Sequence, residues 1–476
     1  MTEYKAMKKL ILTLSSAFLL VFLLVGCSGE KEIFKANVSV EGAIFGGMDG
    51  DKISAELAFS PDWITNADNT EYNSRLAAFA SLLTTDAYYS EKDVAAGTQN
   101  RVLFTGSGDE TYNYEYDFTS TFTLLGFTDV EHIESFKMKS YDFDSNDTVT
   151  MTLAYMNQDG YDIYAVSVRG TFSAGEWASI YDIGFDGDGY VKLTGEHPEW
   201  TNKDNHKGFD IAANRAIAFI DDFMKAHGSD APDSIFITGH SRGGSIANLL
   251  GAHYEKVDSV KSYTYTVSAI PATFAADAAG YKTVFNIVTE NDFYTKMLPF
   301  GDDAITLYGS AILTKTPAEV KNYTGRDLPV SLSADELAVF TGTFAGRFAK
   351  RNFYDGMKST DIIFTSEEEA VKQHDLLQSY IGSEAGLGLE AFCSVGDIVK
   401  LGERSFMVTF KYSDAALMSG LGKVIAYGDA ADTAYRALFD GDEAACALSS
   451  WICSNKDKIA ASHLIINPFV YTSTAK

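Results

Sequence analysis

The sequence predicts an α/β fold with a mostly parallel central sheet and helices on both faces. Strand-like apolar runs alternate with helical stretches from Thr148 onward, which is the pattern of strands joined by crossover helices. One of those strands, Ser234 to Thr238, runs straight into a tight turn and then a small-residue helix. At 476 residues, 46% hydrophobic and 22% charged, the chain has the composition of a folded protein and room for one elaborated domain with an appendage.

The N-terminus reads as a leader, not as part of the fold. Lys5, Lys8 and Lys9 precede an apolar run from Leu10 to Val25, which ends in Leu24-Val25-Gly26-Cys27. The run is short for a membrane span, which needs about 20 apolar residues, and it closes on small residues before a cysteine. It resembles the bacterial lipoprotein signal. The resemblance implies cleavage after residue 26, acylation of Cys27 and anchorage to the outer face of the cytoplasmic membrane, with residues 27–35 as a polar tether. A net charge of −27 repels nucleic-acid phosphates and anionic lipid surfaces, so membrane attachment falls to the acyl group and nucleic acid is not an expected partner.

Residues 36–147 read as an N-terminal α+β layer, with a helical stretch at Ser74 to Tyr89 and alternating Tyr- and Thr-rich runs such as Tyr112 to Phe122. Two β-rich runs, Thr148 to Tyr155 and Asp162 to Val168, flank an Asp159-Gly160 hairpin signal. A helix is expected over Phe209 to Ala226 and another over Gly244 to His253. Strands are expected at Lys261 to Ile270 and Thr283 to Thr289. Residues 317–370 read as mostly helical. Residues 36–385 form the expected main domain, and 386–476 a C-terminal region with a strand at Ser405 to Tyr412 and helices around it. Of the cysteines left after cleavage, Cys446 and Cys453 are spaced for either a bridge or two buried thiols, and Cys393 stands apart. No Cys and His spacing suits a metal, and no cofactor is expected.

The chemistry centres on Gly239-His240-Ser241-Arg242-Gly243. Roughly 0.2 such G-x-S-x-G matches arise by chance in a chain of this length, so the context has to decide. Here a strand precedes and a helix follows, which is the setting that exposes a nucleophilic serine on a strained turn. In that arrangement the acid and then the histidine follow the serine. Asp292 stands beyond the strand ending at Thr289, with Glu290 the close alternative, and His374 and His463 are the histidines late enough in the chain. Oxyanion donors come from the residue after the nucleophile, Arg242, and from a loop after an earlier strand, where Arg169-Gly170-Thr171 lies.

Taken together, Arg169-Gly170-Thr171, Glu176-Trp177, Asp182, His206-Lys207-Gly208-Phe209, Gly239 to Gly244, Asp292 and Leu298-Pro299 resemble the class 3, fungal-type lipases over residues 70 to 380. The resemblance implies an α/β-hydrolase fold, hydrolysis of carboxylic esters of the acylglycerol type, Ser241 as nucleophile, Asp292 as acid, and Thr171 with Arg242 at the oxyanion hole. It favours His374, with Tyr380 after it, over His463. It also places a lid between Thr171 and His206, where Phe172, Trp177, Tyr181, Phe185 and Tyr190 supply an apolar cover. The nearer rival reading is an esterase or thioesterase for short acyl groups; the more distant one is an inactive surface-binding lipoprotein.

Overall fold

The computed structural model describes residues 34–41, 52–88, 101–105, 122–137 except 124, 148–171, 176, 179–180, 183–184, 199–296, 305–314, 331–340, 358–382, 393–465 except 413, 468 and 472. The expected leader, Cys27, most of the tether, the run Tyr112 to Phe122 apart from Phe122 itself, and the five aromatic residues of the expected lid lie outside the described residues. Among those described, no helix is long and apolar enough to cross a membrane.

Strands β1 (Phe34–Glu41), β2 (Lys52–Phe59) and β3 (Arg101–Thr105) make a small antiparallel sheet in the order β2-β1-β3, so the last two residues of the expected tether already belong to a strand. A one-turn helix α1 (Asp62–Thr65) leads to α2 (Ser74–Asp86). The side chain of Asn73 starts α2 by accepting from the backbone N–H groups of Arg75 and Leu76, at 2.9 and 3.4 Å.

The main sheet holds β4 (Asp129–Lys137), β5 (Thr148–Gln158), β6 (Tyr161–Val168), β7 (Asp233–His240), β8 (Val260–Val267), β9 (Val284–Thr289) and β10 (Ser310–Thr314), in the order β10-β9-β8-β7-β6-β5-β4. Strands β6 to β10 run parallel, and β5 and β4 add an antiparallel edge. The β5–β6 hairpin turns on Asp159 and Gly160, at φ 51° and 83°, the left-handed pair that an Asp-Gly dipeptide supplies for a two-residue turn.

Both faces of this sheet are covered, which is why its parallel strands are continuously apolar. Tyr164, Val166, Ile235 and Ile237 face one core with helices α3 (Lys207–His227) and α4 (Arg242–Tyr254). Ile163, Ala165, Phe236 and Tyr265 face a second core with α2, whose Leu76, Phe79 and Leu83 are wholly buried. The architecture is that of an α/β-hydrolase, with a mostly parallel sheet and helices on both faces.

The C-terminal part is packed onto this body. Strand β11 (Lys358–Phe364) pairs with β14 (Ser405–Tyr412), which also pairs with β12 (Cys393–Val395) and β13 (Val399–Gly402). Residues 358–364 are thus strand where helix was expected. Their period is two: Ile362 and Phe364 pack inward while Ile363 faces out, 62% exposed. Helix α5 (Glu367–Gly382) covers this sheet, and α6 (Asp414–Tyr427), α7 (Asp429–Leu438) and α8 (Glu443–Ser462) follow. Leu417, Leu421, Tyr435 and Ile452 share one core with β6, β7 and α4. Cys393, Cys446 and Cys453 are free thiols. Cys446 and Cys453 lie seven residues apart on α8, about 10 Å at helical rise, beyond the ~7 Å that a disulfide spans.

Candidate active site

Ser241 sits where β7 ends and α4 begins, at the carboxyl end of the sheet. Its φ of 57° and ψ of −126° are unusual for a residue with a side chain, and the geometry is held from both sides. Its N–H donates to the Val267 carbonyl at 3.0 Å, and its own carbonyl accepts from Ser245 N–H at 3.1 Å. The turn closes only because Gly243 lacks a side chain: a Cβ there would run into the carbonyl oxygens of Val168 and Arg169. The first-turn N–H groups of α4, beginning with Arg242, have no acceptor within their own helix.

Asp292 lies just past β9, also at a carboxyl end, and is fully buried. One carboxylate oxygen accepts from Tyr294 N–H at 3.0 Å, and the other is 2.8 Å from Nδ1 of His463. A carboxylate only accepts, so Nδ1 carries the proton and Nε2 offers its lone pair. That Nε2 is buried and has no hydrogen-bond partner among the described residues.

The imidazole of His463 packs against the tilted rings of Tyr294 and His240, with centroids 4.3 and 4.7 Å away. His240 is the residue before Ser241. Burial, and then the Asp292 charge, push the Tyr294 phenol well above its ordinary pKa, so it stays neutral.

The position of His463 follows from packing. Helix α8 buries Ile452 and Ile459 in the core shared with α4, and two residues past His463 the chain buries Ile465 in the opposite core, with α2. His463 is therefore where the chain crosses the carboxyl ends of the strands. The Asp292 loop is fastened to the same helix: Phe293 N–H donates to Ser462 Oγ at 3.4 Å, and the Phe340 ring meets Phe293 at a tilt and stacks on Trp451.

Thr171 follows β6 at the same end of the sheet. Its Oγ1 is buried with no hydrogen-bond partner among the described residues, a donor left without an acceptor. The Arg242 side chain is engaged by Ser179, its Nε donating to Oγ at 2.8 Å. Beneath the loop, Arg169 and Glu176 form a buried ion pair at 2.8 Å.

The structure brings Ser241, Asp292, Thr171 and Arg242 to one end of the sheet. His374 is elsewhere. It lies on α5, which packs against β11, β12 and β14. Its Nδ1 is 3.4 Å from the carboxylate of its neighbour Asp375. The histidine facing Asp292 is His463, from the region expected to be a mere extension. Chain order permitted both, and only the path of α8 separates them. Tyr88, His240 and Tyr294 were not singled out as site residues from the sequence, and nothing in their local patterns marks them.

Residues 165–301 match the family model for lipases of class 3, a stretch that includes Ser241 and Asp292 but not His463. No curated protein matches the chain. Among solved structures, a triacylglycerol lipase described as having a serine-protease triad at its catalytic centre is 17% identical, with 51% of this chain and 80% of that chain covered and a TM-score of 0.32. The Lip2 lipase of Yarrowia lipolytica is 18% identical over 51% of this chain and 77% of its own, TM-score 0.31. The Rhizomucor miehei triacylglyceride lipase is 17% identical over 51% and 78%, TM-score 0.31.

Proposed function

We propose that this chain is a lipase-type serine hydrolase that cleaves carboxylic esters of lipids, of the acylglycerol type, through an acyl-enzyme. Ser241 is the nucleophile, His463 the base, Asp292 the orienting acid, and Thr171 with the Arg242 N–H the oxyanion donors. The observation that carries this reading is the Asp292–His463 pair, whose Nε2 has no partner among the described residues and whose ring lies 4.7 Å from that of His240, the residue preceding a serine on a strained elbow.

In the first half-reaction Nε2 of His463 takes the Ser241 proton as Oγ bonds to the ester carbon. The carbonyl oxygen becomes an oxyanion between the Arg242 N–H and Thr171. Asp292 favours the imidazolium that forms, which then protonates the leaving alkoxide as the C–O bond breaks. Water, deprotonated by the same Nε2, attacks the acyl-enzyme, and collapse of the second oxyanion returns Ser241 Oγ its proton and releases the carboxylic acid. A fluorophosphonate probe labels the wild type and not Ser241→Ala on this account; equal labelling of the two contradicts it.

The same reading extends to attachment. Cys27 carries the acyl anchor that holds the enzyme at the outer face of a bacterial membrane, beside its lipid substrates, as supported by the basic residues, the apolar run and the small residues before Cys27. Cys27→Ala then moves the protein from the membrane to the soluble fraction; an unchanged distribution counts against the anchor.

A further inference from the structure

The two halves of the candidate site, the oxyanion loop after β6 and the base after α8, come from segments far apart in sequence. A buried hydrogen-bonded chain that starts at the second ends packed against the first. The Nε2 of His240 is 3.1 Å from the backbone carbonyl of His463. A carbonyl only accepts, so Nε2 carries the His240 proton and Nδ1 must be the acceptor. Tyr88 Oη lies 2.7 Å from that Nδ1 and is therefore the donor. The phenol oxygen in turn packs tightly against Gly170, the residue before Thr171.

The hydrogen bonds thus run from the Tyr88 hydroxyl through the His240 ring to the His463 carbonyl, each donor facing an acceptor, and the Tyr88 end is packed against the oxyanion loop at Gly170. Close packing enforces it. A Cβ on Gly170 would run into the Tyr88 hydroxyl, Tyr88 is 5% exposed and His240 3%. Burial first, and the neighbouring His463 second, hold His240 neutral, so this proton arrangement is stable through the ordinary pH range.

We propose that Tyr88 and His240 are a positioning pair that sets the His463 backbone against the oxyanion loop, fixing the base relative to both Ser241 and Thr171. Neither touches the reacting atoms. Their service is to convert a contact between remote segments, α2 and the C-terminal crossing, into the placement that a near-attack geometry requires. The inference rests on the hydrolase reading above and deepens it.

The test uses the full-length protein with p-nitrophenyl esters and a fluorophosphonate probe. Tyr88→Phe keeps the ring and removes the hydroxyl; kcat and the labelling rate fall about tenfold with KM nearly unchanged, since one net hydrogen bond is lost from positioning and none from binding. His240→Gln retains an amide donor where Nε2 stood but offers Tyr88 no acceptor in place of Nδ1, so it loses about as much as Tyr88→Phe. His240→Asn is too short to reach the His463 carbonyl, so it loses the link to the base and falls further than Tyr88→Phe or His240→Gln. A role in packing alone leaves Gln no better than Asn.

Thermal midpoints of the variants separate loss of placement from loss of fold. If wild type turns over and is labelled while Tyr88→Phe and His240→Asn stay within twofold of it, the positioning pair is overturned and the hydrolase reading stands. If Gln and Asn lose rate equally, the pair is overturned as well. If wild type is not labelled at Ser241, both readings fail together.

Discussion

Replacing Asp292 by asparagine isolates what the buried carboxylate does. The side chain is fully enclosed, and one of its oxygens is already committed to Tyr294 N–H, 3.0 Å away. An amide in this place must keep its oxygen on that N–H, because the alternative sets two donors against each other. Its NH2 group then faces Nδ1 of His463, which now has to accept, so the imidazole moves its proton to Nε2. In that tautomer Nε2 cannot take the Ser241 proton. The same exchange in a serine-protease triad costs about 10⁴ in kcat, and a loss of about 10³ to 10⁴, or about 4 to 5.5 kcal/mol of barrier, is expected here. KM should change little, since Asp292 is enclosed away from bound ester. The assay is ester hydrolysis under saturating substrate, with thermal unfolding alongside to show that Asp292→Asn is folded. A folded variant that retains more than about a tenth of the wild-type kcat would refute the reasoning.

Other consequences are as direct. Burial pushes His132 down to about 4, His206 down to about 3 and His240 well below 6.5, whereas in the unfolded chain all three protonate near 6.5. Unfolding therefore takes up protons between pH 6.5 and about 4, and stability falls as pH drops through that window by up to about 4 kcal/mol per pH unit for the three together. Urea titrations at steps from pH 7 to 5 read this out, and a stability that is flat or rises on acidification contradicts it. Gly243→Ala forces a Cβ onto the Val168 and Arg169 carbonyls and should cost about 3 kcal/mol or more, with loss of turnover; a denaturation midpoint equal to wild type would mean the elbow is not so constrained. Cys393, Cys446 and Cys453 are free, so a reductant should leave the thermal midpoint unchanged, and a downward shift would reveal a disulfide.

What could be read from the sequence was local. The Asp159–Gly160 turn, the β7–Ser241–α4 elbow and the strand leading to Asp292 are each specified within about ten residues, by dihedral preference, apolar periodicity or a required glycine. His463 is different. Its meeting with Asp292 spans 171 residues and depends on where α8 packs, and the local sequence of His463 is no more distinctive than that of His374. The resemblance to class 3 lipases favours a histidine nearer the matched segment, whereas the α8 crossing brings His463 to Asp292. The mostly helical, charged reading of residues 317–370 takes in 358–364, yet pairing with β14 decides the conformation of that stretch. Tyr88 and His240 each look unremarkable alone; their roles exist only in the hydrogen bonds that join α2, the elbow and the C-terminal crossing.

The identity of the base is the part of the account on which the rest depends. His463→Ala and His374→Ala, each confirmed folded, should be compared in ester hydrolysis and in fluorophosphonate labelling. The account predicts that His463→Ala loses at least a thousandfold in kcat and is labelled slowly at best, while His374→Ala stays within about twofold of wild type. Loss of turnover in His374→Ala with activity retained in His463→Ala would contradict it.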